Sequence, residues 1–220
     1  MRLVRKGNEP KELLAYRLLP HASYEGLPSE TKVELRSALV RDQGALCCYC
    51  MQRITGFDVR IEHLRSQSNH PELQLSWNNL LAACHGSEGR SPDEQHCDVR
   101  KGDRDITLSP FEAKHIASLR YAASGEIRSS DPALQRDIGE TGKDKGALNL
   151  NHPTLRRNRK EAVEALIDAL HRKKSGAFSP SFLRAELTRC TQPDAKGQLT
   201  PFVGALVYWL EKRLGPAHRT

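Results

Sequence analysis

The spacing of apolar and polar residues in the first fifty positions predicts one firm helix and one shorter apolar stretch. From Ser29 to Gln43, Val33, Leu35, Leu39 and Val40 recur at helical spacing, Thr31 and Glu34 offer a capping-box pair, and Gly44 is placed as the stop. Upstream, the apolar run ELLAYRLL is closed by Pro20. Past residue 46 the period changes. Residues 46–66 predict two short strands around a turn at TGFD, and in VRIEHL the apolar Val59 and Ile61 alternate with Arg60 and Glu62. Strict alternation puts Glu62 and His63 on opposite faces, so the two can reach one site only where the strand ends or bends. A polar loop (SQSNHPE), an apolar segment (LSWNNLLAAC) and one or two helical turns in DVRKGD ending at Gly102 follow.

Further along, Pro110 to Ser124 carries helical spacing, EIRSS adds a strand, and GETGKDKG is a loop. The longest expected helix runs from Thr154 to Lys174, with Ala162, Val163, Leu166, Ile167 and Leu170 in one stripe. A last helix opens with Pro201 and closes at Gly215. The pattern is that of an α+β chain. Expected boundaries are an N-terminal helical segment (1–45), a cysteine-rich core (46–110) and a helical C-terminal region (111–220) that serves for partner docking or as a second core.

Composition narrows the class. An apolar content of 38% with 28% charged residues suits a globular chain, and no apolar run approaches the roughly 20 residues that span a bilayer. The opening MRLVRKGNEPKELL is charged throughout and has no signal-like apolar region, so a cytoplasmic location without membrane attachment is expected. In that reducing setting six cysteines favour metal binding over a disulfide framework. Lys and Arg exceed Asp and Glu by 34 to 27, with clusters in VRKGDR and TLRRNRKEAV, which makes nucleic acid the first partner to consider.

The candidate chemistry is concentrated in the middle of the chain. Cys47 and Cys50 offer two thiolates on one tight turn, and Cys84 with Cys97 completes a four-sulfur set for structural Zn²⁺. Twelve residues separate the second pair, where two to four are usual, but HGSEGRSPDEQH is loop-like and can bulge outward. His85 and His96 each adjoin a cysteine and are substitute ligands; Cys48 and Cys190 read as small buried residues. Glu62, with an acid or amide from DVRKGD, offers oxygens to Mg²⁺ or Mn²⁺. A neutral His63 would deprotonate water for attack on phosphorus.

The order Cys-x-x-Cys, Glu-His, Asn-Leu-x-x-x-Cys, Cys-Asp-x-x-Lys-Gly resembles the HNH (ββα-metal) nuclease motif. The segments MRLVRKGNEP, CYCMQRI, RIEHLRSQS, NNLLAACHG, HCDVRKGD and LNLNHPTLRRNR are most similar to the PtuB-like nucleases of Septu and retron-linked antiphage systems. The resemblance covers residues 1 to about 160. It implies a small zinc-braced ββα-metal core, His63 as general base, Glu62 and Asp98 as ligands of the catalytic metal, and Asn79 as the residue bracing the loop and orienting the histidine. Glu62 stands where most of the family has Asp or His, and Asp98 where it has His or Asn. Arg100 and Lys101 would lie near the scissile strand as phosphate contacts, or on a solvated helix face. A PtuA-like ATPase subunit is the implied partner, and DNA is expected ahead of RNA as substrate. The competing readings are a non-catalytic zinc-binding nucleic-acid module and a zinc-scaffolded adaptor with no nucleic-acid role.

Overall fold

The chain is seen here in a computed structural model that describes residues 1–56 and 59–215. Two helices open it, α1 (Lys11–Arg17) and α2 (Ser29–Asp42). Pro28 precedes α2 and no side chain caps it, so the expected Thr31–Glu34 capping box does not form; Thr31 is instead buried. Leu35, Ala38 and Leu39 form the inward stripe, whereas Val33 is 49% exposed, half a turn off that face. Gly44, at φ 63°, stops the helix as expected.

The expected strand before TGFD reduces to a single bridge between Leu46 and Arg53. The second half of that turn, Phe57 and Asp58, lies outside the described residues. Strand β1 (Arg60–His63) pairs antiparallel with β2 (Leu80–Ala83), with Glu62 opposite Leu81 and His63 opposite Leu80. All four residues of β2 are fully buried. Its other edge is satisfied by the Gln43 side chain, which donates to Ala82 O and accepts from Ala82 N, both at 2.8 Å, and by Cys48 N at 3.0 Å from Ala82 O. A buried strand edge needs such partners, and here they draw the Cys47–Cys50 turn against β2. Helix α3 (Cys97–Lys101) follows a long loop.

Residues 110–124 depart from the expected continuous helix. Only Ala113–Ser118 (α4) is helical; Leu119–Tyr121 (β3) pairs with Ile127–Ser129 (β4) in a hairpin. The turn needs Gly125, whose φ is +78° and whose Cα faces the backbone around Arg156 so closely that a Cβ would meet Arg156 O at 1.9 Å. Helical spacing in a half-buried segment yields to that packing.

Helices α5 (Pro132–Ile138), α6 (Pro153–Lys173), α7 (Pro180–Thr191) and α8 (Val203–Leu214) complete the chain. Helices α5 and α7 lie outside the elements expected from periodicity, although each starts with a capping side chain before proline: Asp131 accepts from Ala133 N and Ser179 from Phe182 N. The continuous apolar core runs from Met1 to Leu155 and so crosses both expected domain boundaries. A second cluster joins Leu166 and Leu170 of α6, Leu183 and Cys190 of α7, and Leu206 and Leu210 of α8. The C-terminal helices therefore spend their apolar faces on each other. Among the described residues no helix is long and apolar enough to cross a membrane.

Gly125→Ala is expected to lower stability by at least about 2 kcal/mol, from left-handed strain plus backbone overlap. Thermal or denaturant unfolding measures it, and an unchanged midpoint would contradict the packing described.

A candidate metal-braced acidic site

Four sulfurs meet where the Cys47–Cys50 turn, the end of β2 and the start of α3 converge. Cys47, Cys50, Cys84 and Cys97 are all buried, and their sulfurs lie within 4.8 Å of one another; Cys50 and Cys84 are 3.8 Å apart. Tetrahedral thiolates around one ion at about 2.3 Å would stand about 3.8 Å apart, whereas a disulfide would need about 2 Å. The donor set therefore fits a tetrahedral, thiophilic metal ion. Neither alternative histidine belongs to it. His85 pairs with Glu88 at 3.0 Å, and buried His96 faces the Cys97 sulfur at 3.3 Å. Burial and the surrounding positive charge of His152 and Arg159 leave His96 with a pKa of about 4 despite the opposing pull of Cys47. Burial alone would raise the Cys47 thiol, but hydrogen bonds from Cys48, Cys50, Cys84 and Cys97 outweigh it and hold Cys47 well below the usual range. Cys84 and Cys97 are pushed up, Cys97 chiefly by burial.

The long loop between Cys84 and Cys97 is closed at its base. His96 N donates to Gly86 O at 2.9 Å, and a Cβ on Gly86 would meet His96 O at 2.0 Å. Only glycine allows this approach, and it returns Cys97 to Cys84 after twelve residues. Cys97 itself has φ 57°, a strained conformation outside glycine, stabilised by its N–H bond to Leu148 O. Asn149 Nδ2 holds the loop through Gln95 O at 2.9 Å, and Lys145 pairs with Asp93 at 3.0 Å. The loop is thus tied to residues 145–149, a role for the LNLN segment that no local signal reveals.

Beside the cysteines, β1 and α3 enclose a cavity of about 230 Å³ whose lining includes Glu62, His63, Asp98 and Lys101. Strand β1 ends at His63, which meets the geometric condition for both residues to face one cavity. Glu62 is 1% exposed; Tyr49 Oη donates to its Oε1 at 2.6 Å and Lys101 Nζ lies 3.0 Å from the same oxygen. Asp98 Oδ2 accepts from Arg60 Nε at 2.6 Å, and Arg60 also reaches Glu88 at 2.7 Å. Glu62 and Asp98 line the same pocket. Burial, then Asp98, pushes the Glu62 carboxyl well above its usual range, while Asp98, which burial would raise, is brought down by the bond from Glu62 and by Arg60. Two carboxyl groups lining one pocket are oxygen donors of the kind a hard divalent cation takes.

His63 is 7% exposed, its ring edge-on to Tyr24 at 4.6 Å. Its Nε2 lies 2.9 Å from Gln74 O, and a carbonyl can only accept, so Nε2 carries the proton and Nδ1 keeps a lone pair. Burial lowers the His63 pKa, and Lys101 lowers it further, favouring the neutral ring. Asn79 Oδ1 accepts from Arg65 N at 2.8 Å and its Nδ2 donates to Arg65 O at 2.9 Å and Leu73 O at 3.2 Å. Those bonds span the chain on both sides of Gln74, the residue that holds His63.

The two expected phosphate contacts lie elsewhere. Lys101 is 2% exposed, and besides Glu62 its ammonium bonds His63 O at 2.9 Å and Gly102 O at 3.3 Å. It is neither on a solvated face nor open to a phosphate, because its three donors are committed inside. Arg100 turns away, donating to Gly146 O at 3.1 Å and to Pro92 O at 2.5 Å. Tyr49, Arg60, Gln43 and Lys101 are the parts of this site that sequence reasoning missed or misplaced; among them, only the i, i+2 spacing of Arg60 and Glu62 on one strand face was readable beforehand.

No family model matches the chain. A curated protein of Vibrio cholerae serotype O1 biovar El Tor, named "Retron Vc95 putative HNH endonuclease", is 24% identical over 144 residues, covering 62% of this chain and 69% of that protein. The similarity supports a relationship to HNH nucleases.

Gly86→Ala is expected to open the base of the loop and reduce the metal bound by the cysteines. Gly89→Ala, at φ +79° with nothing nearby, should cost about 1 kcal/mol and leave metal content intact. Elemental analysis of the two purified variants compares them, and equal metal content would contradict the closure argument.

Proposed function

We propose that the chain is a metal-dependent HNH endonuclease that hydrolyses phosphodiester bonds in nucleic acid, DNA ahead of RNA, built on a zinc-braced ββα-metal core. The observation that carries this reading is the single cavity bordered by two adjoining carboxylates and a tautomer-set histidine, Glu62, Asp98 and His63. Glu62 and Asp98 would hold Mg²⁺ or Mn²⁺, which when bound supplies charge stabilisation to a phosphate. His63, kept neutral and oriented by Gln74 O, takes the proton of the attacking water at Nδ1. Asn79 holds the loop that presents Gln74, and Zn²⁺ in the four-cysteine site holds β2 against α3. The retron name of the Vibrio cholerae relative supports a place in antiphage defence. The PtuB-like assignment, with a PtuA-like ATPase as partner, rests on the sequence motifs alone.

The test uses purified chain with Mg²⁺ or Mn²⁺ and mixed DNA and RNA substrates, with and without a co-expressed neighbouring ATPase. Cleavage is expected, and His63→Ala should reduce it by at least about 10²-fold while zinc content and folding are kept. Absence of cleavage under all these conditions would instead favour a non-catalytic zinc-binding module. The wild-type chain should contain one zinc ion, and Cys50→Ser should lose it together with much of the stability of the core; zinc-free wild-type protein would overturn the four-cysteine site.

A further inference from the structure

Both halves of the cysteine frame reach the same oxygen of Glu62. Tyr49 lies inside the first half, between Cys48 and Cys50, and is 1% exposed; its hydroxyl donates to Glu62 Oε1 at 2.6 Å. Lys101 follows Cys97 by one helical turn on α3, and its ammonium lies 3.0 Å from that same Oε1. Oε1 thus takes two donors, one from each half, while Glu62 lines the same pocket as Asp98. Asp98 is treated likewise, since Arg60 Nε occupies Oδ2 at 2.6 Å and leaves Oδ1.

From this geometry we infer that Tyr49 is a positioning residue for the acidic site, holding the Glu62 carboxyl in the pocket it lines with Asp98. The inference rests on the nuclease reading above, in which Glu62 and Asp98 hold a divalent cation. Tyr49 does the positioning without adding charge, whereas Lys101 brings a positive charge that opposes a second cation nearby. Because Tyr49 is part of the Cys47–Cys50 turn, the filled cysteine site sets where Glu62 points. The outer hydrogen bonds of metal ligands commonly change metal affinity by about 10- to 100-fold.

The test is Mn²⁺ binding followed by electron paramagnetic resonance titration, on protein that retains its cysteine-bound metal. Tyr49→Phe should weaken Mn²⁺ binding by about tenfold or more with the cysteine-bound metal unchanged. In a Glu62→Gln background the same change should have no further effect, since Tyr49 acts only through Glu62. Wild-type protein that binds no Mn²⁺ would sink the acidic metal site itself, and this inference with it. Wild-type binding with unchanged affinity in Tyr49→Phe would overturn the positioning role alone. Should Tyr49→Phe fail to fold, the double variant with Glu62→Gln decides. Recovery would trace the defect to the unsatisfied Glu62 carboxylate and support the inference, and failure to recover would make Tyr49 a packing residue of the turn and overturn it.

Discussion

Four cysteine sulfurs within 4.8 Å of one another, all removed from water, are the constraint on which the central part of this structure depends. Thiolates so placed repel each other unless a cation lies among them, and thiols alone would give only weak hydrogen bonds. The cluster joins three pieces distant in sequence, the Cys47–Cys50 turn, the end of β2 and the start of α3. Each piece then carries a group of the acidic cavity: Tyr49 from the turn, Asp98 and Lys101 from α3, and Glu62 and His63 from β1, the partner of β2. The cysteines touch none of the cavity chemistry directly, yet they set the distances within it.

The cavity is an exercise in burying charge. Glu62 and Lys101 are each almost wholly buried, and a buried ammonium beside a carboxyl is tolerated only when the remaining donors and acceptors are satisfied. Lys101 meets that demand through His63 O and Gly102 O, and Glu62 through Tyr49. Arg60 neutralises Asp98 from the exposed side while reaching Glu88 on the long loop. The long loop is therefore part of the site's support on two counts, through Arg60 and through its glycine-closed base.

The rest of the chain is organised around the same centre. The C-terminal helices form their own apolar cluster, but α8 also seats against the cysteine turn, with Phe202 N bonded to Met51 O at 2.9 Å. Buried Arg159 of α6 donates to Gly125 O at 2.6 Å and Leu150 O at 2.7 Å, tying the hairpin turn to the LNLN segment that also holds Cys97. A basic residue of the TLRRNRKEAV cluster is thus a bracket inside the core.

What the amino-acid order determined by itself was local. Helix α2 with its glycine stop, α6 with its stripe, the short helix ending at Gly102, β1 and EIRSS all followed from periodicity and turn residues, because those signals act within a few positions. The cysteines could be named as one ligand set from spacing and residue type, because few side chains can bind a thiophilic metal. Tertiary structure alone decided which residues serve that set. Lys101 and Arg159 are basic and read as surface, yet they are buried, because distant carbonyls and, for Lys101, the Glu62 carboxylate satisfy their donors. Residues 119–121 became strand because Gly125 lets their hairpin rest on α6. Tyr49, Gln43 and Asn149 act through partners 13, 39 and 54 residues away. No local pattern encodes such partners, because they are neighbours only after the chain has packed.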